Sequence, residues 1–367
     1  MSKAAELAKW GEVSTNGQVS GRRNIIINGA MNVAQRGTST TGSTGGGFIT
    51  DRFQLGVTSL GTWTMSQATD APSGFSHSAK IECTTADASP ASTDILYFFT
   101  RLEGQDLQHL KFGTANAETV TISFWMKSTK TGVVTLNWRN QDNSRAIGKD
   151  LTISSANTWE YHTATFLGDT AAVFTNDNGW SASVEILLNG GTNYTSGSTP
   201  TVWTAVSNTN GTRGGGTTLA LGANTSESWQ ISGLQLEVGS VATPFEHRSF
   251  GEELALCQRY CHRINSNGSD DIPIGTGFYN ASTTCRVMVT VPTTMRAAST
   301  FTTLDSGLDI LRDSSSDTSI TLDAAIDQSR HGCILNFTGA ASTTAGEGVI
   351  LRLGTEAANF IEFDAEL

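Results

Sequence analysis

Apolar and polar positions alternate with a period of two along much of the chain. In VTISFWMK, Val120, Ile122, Phe124 and Met126 fall on one side; Thr121, Ser123, Trp125 and Lys127 fall on the other. That spacing stands successive side chains on opposite faces of a strand. VTLNWR repeats it with Val134, Leu136 and Trp138 against Asn137 and Arg139, and SVEILLN with Val184, Ile186 and Leu188 against Glu185 and Asn189. Strands are therefore predicted at 80–83, 94–101, 119–127, 132–139, 159–166, 183–189, 217–221 and 229–238, separated by turn-rich stretches such as NQDNS and TNDNG. Short strands at that interval predict a sandwich or jelly roll.

Towards the N-terminus the pattern thins. NIII runs into Asn28-Gly29, a hairpin signal, and predicts a strand, a turn and a second short segment in AMNVAQR. GTSTTGSTGGG (37–47) predicts a flexible loop. Residues 2–10 predict a short helix capped by Ser2, with Leu7 and Trp10 on its edge. The polar stretch after it has too little apolar surface to fold alone. Residues 1–23, with Lys3, Lys9, Arg22 and Arg23 in an otherwise acidic chain, are expected to dock on a partner.

At Ser249 the period changes. Ser249-x-x-Glu252 is a capping box, and EELALCQRYCHR keeps helical spacing, with Leu254, Cys257 and Cys261 on one stripe and Leu256 and Tyr260 beside it. Beyond it RVMVTVP, FTTLD, ITLDA, GCILNFT, GVILRLG and FIEFDAEL alternate again. The organisation expected is all-β: an N-terminal attachment segment with a short helix (1–23), a jelly-roll β-sandwich (24–249), a short linking helix (250–265) and a second, smaller β-sandwich (266–367).

Composition narrows the chemistry. Gly makes up 38 of 367 residues and charged residues only 16%, a mixture that suits many strands joined by turns. The net charge of −11 disfavours nucleic acid as a partner. No run approaches the ~18 apolar residues of a membrane span, so no membrane insertion is expected. MSKAAELAKW lacks the apolar core of a signal peptide, which predicts folding in a reducing cytoplasm. The five cysteines are odd in number and scattered, so buried thiols are expected rather than a disulfide framework. Cys257-x-x-x-Cys261-His262 has the wrong spacing for a zinc site, and no second ligand pair follows it, so no metal and no cofactor is predicted. Asp142 and Asp177 lie in oxygen-rich loops that read as turns before they read as calcium sites.

Glu246, His247 and Arg248 place a carboxylate, an imidazole and a guanidinium side by side. On extended backbone three adjacent side chains point to alternate sides and cannot converge on one substrate. They are expected to pin a strand-to-helix junction by hydrogen bonds. No carboxylate pair sits in a diagnostic motif and neither GxSxG nor HExxH occurs, so no catalytic residue is predicted. The outward strand positions suggest binding instead. Trp125 is a ring that a solvent face does not need, and Asn137, Arg139 and Glu185 supply an amide, a guanidinium and a carboxylate by the same parity. Sugars are held by rings against their C–H faces beside such groups. Trp125, Asn137, Arg139 and Glu185 are the predicted ligand site, sharing one sheet face. The competing reading is that another subunit or a loop covers Trp125.

Five segments in order, RRNIIINGAMNVAQRGTS, TDRFQL, VTISFWMKS, NTWEYHTATFLGDT and ISGLQLEVGSVATPFEHRSFGEELALCQRYCHRI, resemble bacteriophage tail-fibre proteins. The resemblance spans roughly residues 1–265; the remainder is similar in composition and position only. It implies a virion tail or baseplate fibre made in the host cytoplasm. It implies a homotrimer too, attached through its N-terminus to a tail or baseplate protein, with β domains that bind host-surface polysaccharide or lipopolysaccharide. It supplies no agreed catalytic residues. With the N-terminus held by the tail, host recognition is expected towards the C-terminal end. A non-enzymatic adhesion fibre is the reading preferred here over a structural connector or decoration protein and over a polysaccharide-degrading tailspike, whose parallel β-helix repeats are missing.

Overall fold

The computed structural model describes residues 22–206, 213–303, 308–312, 315–317, 320–338, 344–356 and 358–367. The helix predicted at 2–10 lies outside the described residues, as does nearly all of the attachment segment. Two compact units emerge, the first reaching to Glu253 and the second running from Leu254 to Glu366.

The first unit contains β1 (Ser39–Ser43), β2 (Gly46–Thr50), β3 (Phe53–Thr58), β4 (Thr62–Ala68), β5 (Ser78–Thr85), β6 (Ile95–Glu103), β7 (Val120–Ser128), β8 (Gly132–Asn140), β9 (Arg145–Ile153), β10 (Glu160–Phe166), β11 (Trp180–Gly190), β12 (Thr204–Ala205) and β13 (Ser228–Val238). Among the described residues they make a six-stranded sheet, β1-β4-β5-β13-β7-β10, and a seven-stranded sheet, β12-β9-β8-β11-β6-β3-β2. The inward positions of the alternation form its core. Val120, Ile122, Phe124 and Met126 of β7 join Val134, Leu136 and Trp138 of β8 and Val184, Ile186 and Leu188 of β11 in one fully buried cluster. Each such side chain contributes about 1.5–3 kcal/mol when removed from water.

Two stretches depart from expectation. NIII is not a strand. Asn28 (φ 61) and Met31 (φ 59) turn the backbone left-handed, and asparagine side chains replace the ladder. Asn24 Oδ1 accepts from the N–H groups of Ile26 and Leu236, while Asn28 Nδ2 donates to the carbonyls of Val33 and Asp51. The expected loop at 37–47 is instead largely strand: β1 pairs with β4 and β2 with β3, in different sheets. The segment 217–221 is not a strand either; it buries Leu219 and Leu221 as a loop, tied by two N–H bonds to the Val133 carbonyl.

The linking helix is shorter than expected. It spans Phe250–Gln258 and closes where the Tyr260 N–H meets the Cys257 carbonyl at 2.9 Å. Cys261–Asn265 is strand β14, paired with β23 (Phe360–Asp364), so the predicted helix over 250–265 is corrected at its C-terminal half. A strand partner some 100 residues away supplied the ladder that local spacing could not foretell.

The second unit adds β15 (Ile272–Ala281), β16 (Thr284–Thr290), β17 (Thr300–Thr303), β18 (Leu308–Arg312), β19 (Ser315–Asp317), β20 (Thr321–Ser329), β21 (Gly332–Thr338) and β22 (Gly348–Leu353). Among the described residues a three-stranded sheet, β14-β23-β17, accompanies a seven-stranded one, β19-β18-β22-β15-β16-β21-β20. Tyr279, Val287, Leu335, Phe337, Leu351 and Phe363 centre its core. The all-β class and the second small sandwich thus stand as read. All five cysteines are buried without a disulfide, and burial pushes the Cys333 thiol up to about 11.

Candidate functional site

The outward positions of the six-stranded sheet are set by the same alternation that fills its core. Register places Tyr161 of β10 and Ser232 of β13 opposite Trp125, and Gln230 opposite Lys127. Lys80 of β5 lies opposite Gln230, and Glu82 opposite Ser228. Trp125 and Tyr161 stand with ring centroids 5.2 Å apart and planes tilted by 47°. Tyr161 remains 46% exposed, so the ring pair is an open surface rather than a core contact.

Beside the rings a polar cluster forms around Asp70. Its side chain accepts from Trp159 Nε1 at 3.2 Å and from Gln230 Nε2 at 3.3 Å, and it pairs with the Lys127 ammonium. The Asp70 carbonyl accepts the Ser78 hydroxyl at 2.6 Å, which fixes the loop over the sheet. Lys127 Nζ also lies 5.3 Å from the centroid of the Trp159 ring. Burial by itself would raise the Asp70 carboxyl, but the hydrogen bonds from Lys127 and Trp159 outweigh it and hold the group low. Lys80 pairs with Glu82 at 2.5 Å on the far side. Asp70, Lys80, Glu82, Lys127, Ser228 and Gln230 are among the groups around a recess of ≈ 270 Å³. Such a surface offers ring faces, ionised carboxylate acceptors and ammonium and amide donors, the means by which hydroxyl-rich ligands are oriented.

Of the four residues predicted as one site, only Trp125 lies here. Asn137, Arg139 and Glu185 belong to β8 and β11, on the outward face of the seven-stranded sheet, so the shared face is corrected. Parity within a strand separates inward from outward, but a sandwich has two outward faces. β7 and β8, three residues apart in sequence, enter different sheets. Nor are these three open. Glu185 is 3% exposed and bridges Arg213 at 2.6 Å and Arg139 at 3.1 Å, while Asn137 Nδ2 donates to the Arg213 carbonyl at 2.7 Å. Arg213 in turn lies over the Tyr97 ring. Burial would raise the Glu185 carboxyl, but the two guanidinium groups win and lower it, keeping it charged. This is an internal ion-pair cluster.

Tyr161, Trp159, Asp70 and Gln230 escaped the sequence reading. Trp159 and Tyr161 sit at alternate positions of the predicted strand 159–166, opposite in parity to Ala164 and Phe166, and that was the available signal; Asp70 lies in a loop and offered none. The Glu246-His247-Arg248 triplet does pin a junction. Arg248 Nη1 donates to the Ile26 carbonyl at 3.0 Å and to Glu253 at 3.2 Å, and Nη2 to the Asn24 carbonyl. Glu246 accepts the Asn24 N–H at 2.7 Å, and His247 packs against Phe75 and Phe245. Asp177 accepts the Gly179 N–H within its own turn, while Asp142 accepts the Thr175 N–H and so ties two loops together. Among the described residues no three His, Cys, Asp or Glu gather where a metal could sit.

No protein-family model matches this chain, and no curated protein does. Several solved structures are similar over part of it. The enzymatically active domain of bacteriophage CBA120 tailspike protein 4 is 12% identical with a TM-score of 0.30, over 59% of this chain and 21% of that one, so this chain spans about a fifth of its length. The xylan-binding CBM22-1 domain of Paenibacillus barcinonensis Xyn10C is 8% identical with a TM-score of 0.26, over 61% and 100%. The family 11 carbohydrate-binding module of Clostridium thermocellum, with a mixed-linked tetrasaccharide, is 8% identical with a TM-score of 0.28, over 56% and 98%. At such scores these likenesses carry no argument about activity, and the sandwich is established by the sheet pairing itself.

Proposed function

We propose that this chain binds saccharide on the outward face of its six-stranded sheet, as a non-enzymatic fibre protein of a phage tail during adsorption to the host surface. The observation that carries the binding half is the open Trp125–Tyr161 ring pair beside the Asp70, Lys127, Trp159 and Gln230 cluster. The adsorption half rests on the ordered resemblance of roughly residues 1–265 to tail-fibre sequences. Three copies per fibre, held to a tail or baseplate protein by the N-terminal segment, belong to the same reading. A single shallow sugar site binds at about the millimolar level, ~4 kcal/mol. Linking three raises avidity by ~10²–10⁴-fold without new contacts, which gives trimeric assembly its purpose.

The test is calorimetric titration of the full chain with host-surface polysaccharide. Tyr161→Ala and Trp125→Ala should each weaken binding about tenfold, the equivalent of one lost ring stack at ~1.4 kcal/mol. Tyr161→Ala should leave the melting temperature nearly unchanged. Undiminished binding by both variants would sink the site. Reducing ends that accumulate with time would replace the binding reading with a cleaving tailspike.

A further inference from the structure

In LQLEVGSVATPFEHR, Glu246 and Arg248 pin the junction, and the remaining polar groups Gln235, Glu237 and Thr243 converge beside it. Gln235 and Glu237 have outward parity in β13, opposite Ser123 and Thr121 of β7, yet they are 0% and 1% exposed. Thr243 and Glu246 bond to them from the following segment. The Thr243 hydroxyl donates to Glu237 Oε2 at 2.6 Å, and the Thr243 N–H to Glu237 Oε1 at 2.8 Å. Gln235 Nε2 donates to that same Oε1 at 2.9 Å and lies 3.4 Å from Thr243 Oγ1. Gln235 Oε1 accepts the Glu246 N–H at 2.8 Å. These partners fix which way the amide points. A carboxylate accepts and a backbone N–H donates, so the amide nitrogen faces Glu237 and the oxygen faces Glu246.

The parts of an acyl transfer are assembled here. A hydroxyl is the nucleophile, and a carboxylate stands within hydrogen-bond reach of its proton. A primary amide is the acyl group, and a backbone N–H points at the oxygen on which charge develops. Arg23 Nη1 donates to Thr243 Oγ1 at 2.8 Å, which supports that oxygen as its proton leaves. We propose that Thr243 and Gln235 join in an ester within the folded chain. Thr243 Oγ1 attacks Gln235 Cδ, which is one bond, ~1.33 Å, from Nε2. Its proton passes to Glu237. The C–N bond then breaks, its electron pair stays on nitrogen, Glu237 returns the proton, and ammonia leaves. Hydroxyl and amide are the whole input; ester and ammonia are the whole output. Ammonia is lost to solvent, and the burial of Gln235 withholds the water that would hydrolyse the ester. The bond ties the segment from Thr243 to Arg248 covalently to β13. None of these groups belongs to the Trp125 site, so the inference does not depend on saccharide binding.

Mass spectrometry of the full natural chain tests it. The intact mass should fall short of the sequence mass by one ammonia. Trypsin cuts after Arg213 and Arg248, with no lysine or arginine between them, so the deficit should reside in the peptide 214–248. Fragmentation of that peptide should give no backbone ions from between Gln235 and Thr243, because one break there leaves the halves joined. Hydroxylamine, which cleaves esters and spares amides, should restore those ions. Thr243→Val removes the hydroxyl, keeps the shape and should show the full mass, whereas Thr243→Ser should keep the deficit. Glu237→Gln, deprived of its base, should show the full mass too. A natural chain of full mass, a deficit that survives in Thr243→Val, or ions from within 236–242 in the untreated natural peptide would overturn the proposal.

Discussion

Glu185 shows how one side chain changes meaning with its surroundings. In the strand it is an outward carboxylate; in the fold it is a buried anion between Arg139 and Arg213. Removing one partner of a buried pair leaves the others charged and desolvated, so Glu185→Gln should cost roughly 3–5 kcal/mol in urea unfolding. The pH dependence follows from the lowered carboxyl. A group depressed on folding stabilises the native state above its ordinary value of 4.5, and that stability is lost as pH falls through the lower folded value. Unfolding free energies measured at and below pH 4.5 should fall less steeply in Glu185→Gln than in the natural protein. An identical acid limb in both would remove Glu185 from the account.

Elements were legible where a strand alternates strongly and obscure where pairing partners are remote. β7, β8 and β11 lie close to the strands read from spacing because their inward residues are large and their outward ones polar. β1 and β2, built of Ser, Thr and Gly, carry no such contrast, and their neighbours β4 and β3 decide them. The stretch 24–36 failed in the opposite sense. It is apolar enough for a strand, but Arg248, Glu246 and Glu253 occupy its backbone groups. Arg248→Ala should therefore cost about 2–3 kcal/mol, since charge-assisted bonds to the carbonyls of Asn24 and Ile26 are lost together. Arg248→Lys, without the planar fork, should recover only part of it. Limited proteolysis should then cut first near residues 24–36; equal resistance of the variants would show that this segment is held by other means.

For the whole molecule, division into two units with separate cores has a direct consequence. A chain of residues 1–258 keeps every strand of the first sandwich and the Glu253 contact to the Asn28 N–H at 2.6 Å. It should unfold in one transition and retain saccharide binding, because the Trp125 face is complete within it. Loss of binding by a folded fragment would move recognition to the second unit, where the expectation of a C-terminal receptor contact puts it. The sequence by itself determined the β class, the change of period at Ser249, the burial of the cysteines and the inward half of many strands, because each depends on local periodicity or on side-chain polarity. Tertiary structure alone decided which sheet each strand enters. That is why Trp125 and Glu185 look outward on opposite sides of the sandwich, why Asp70 meets Trp159, and why CHRIN leaves its helix for β23. Those outcomes rest on hydrogen-bond partners tens to hundreds of residues away, and period two is blind to them.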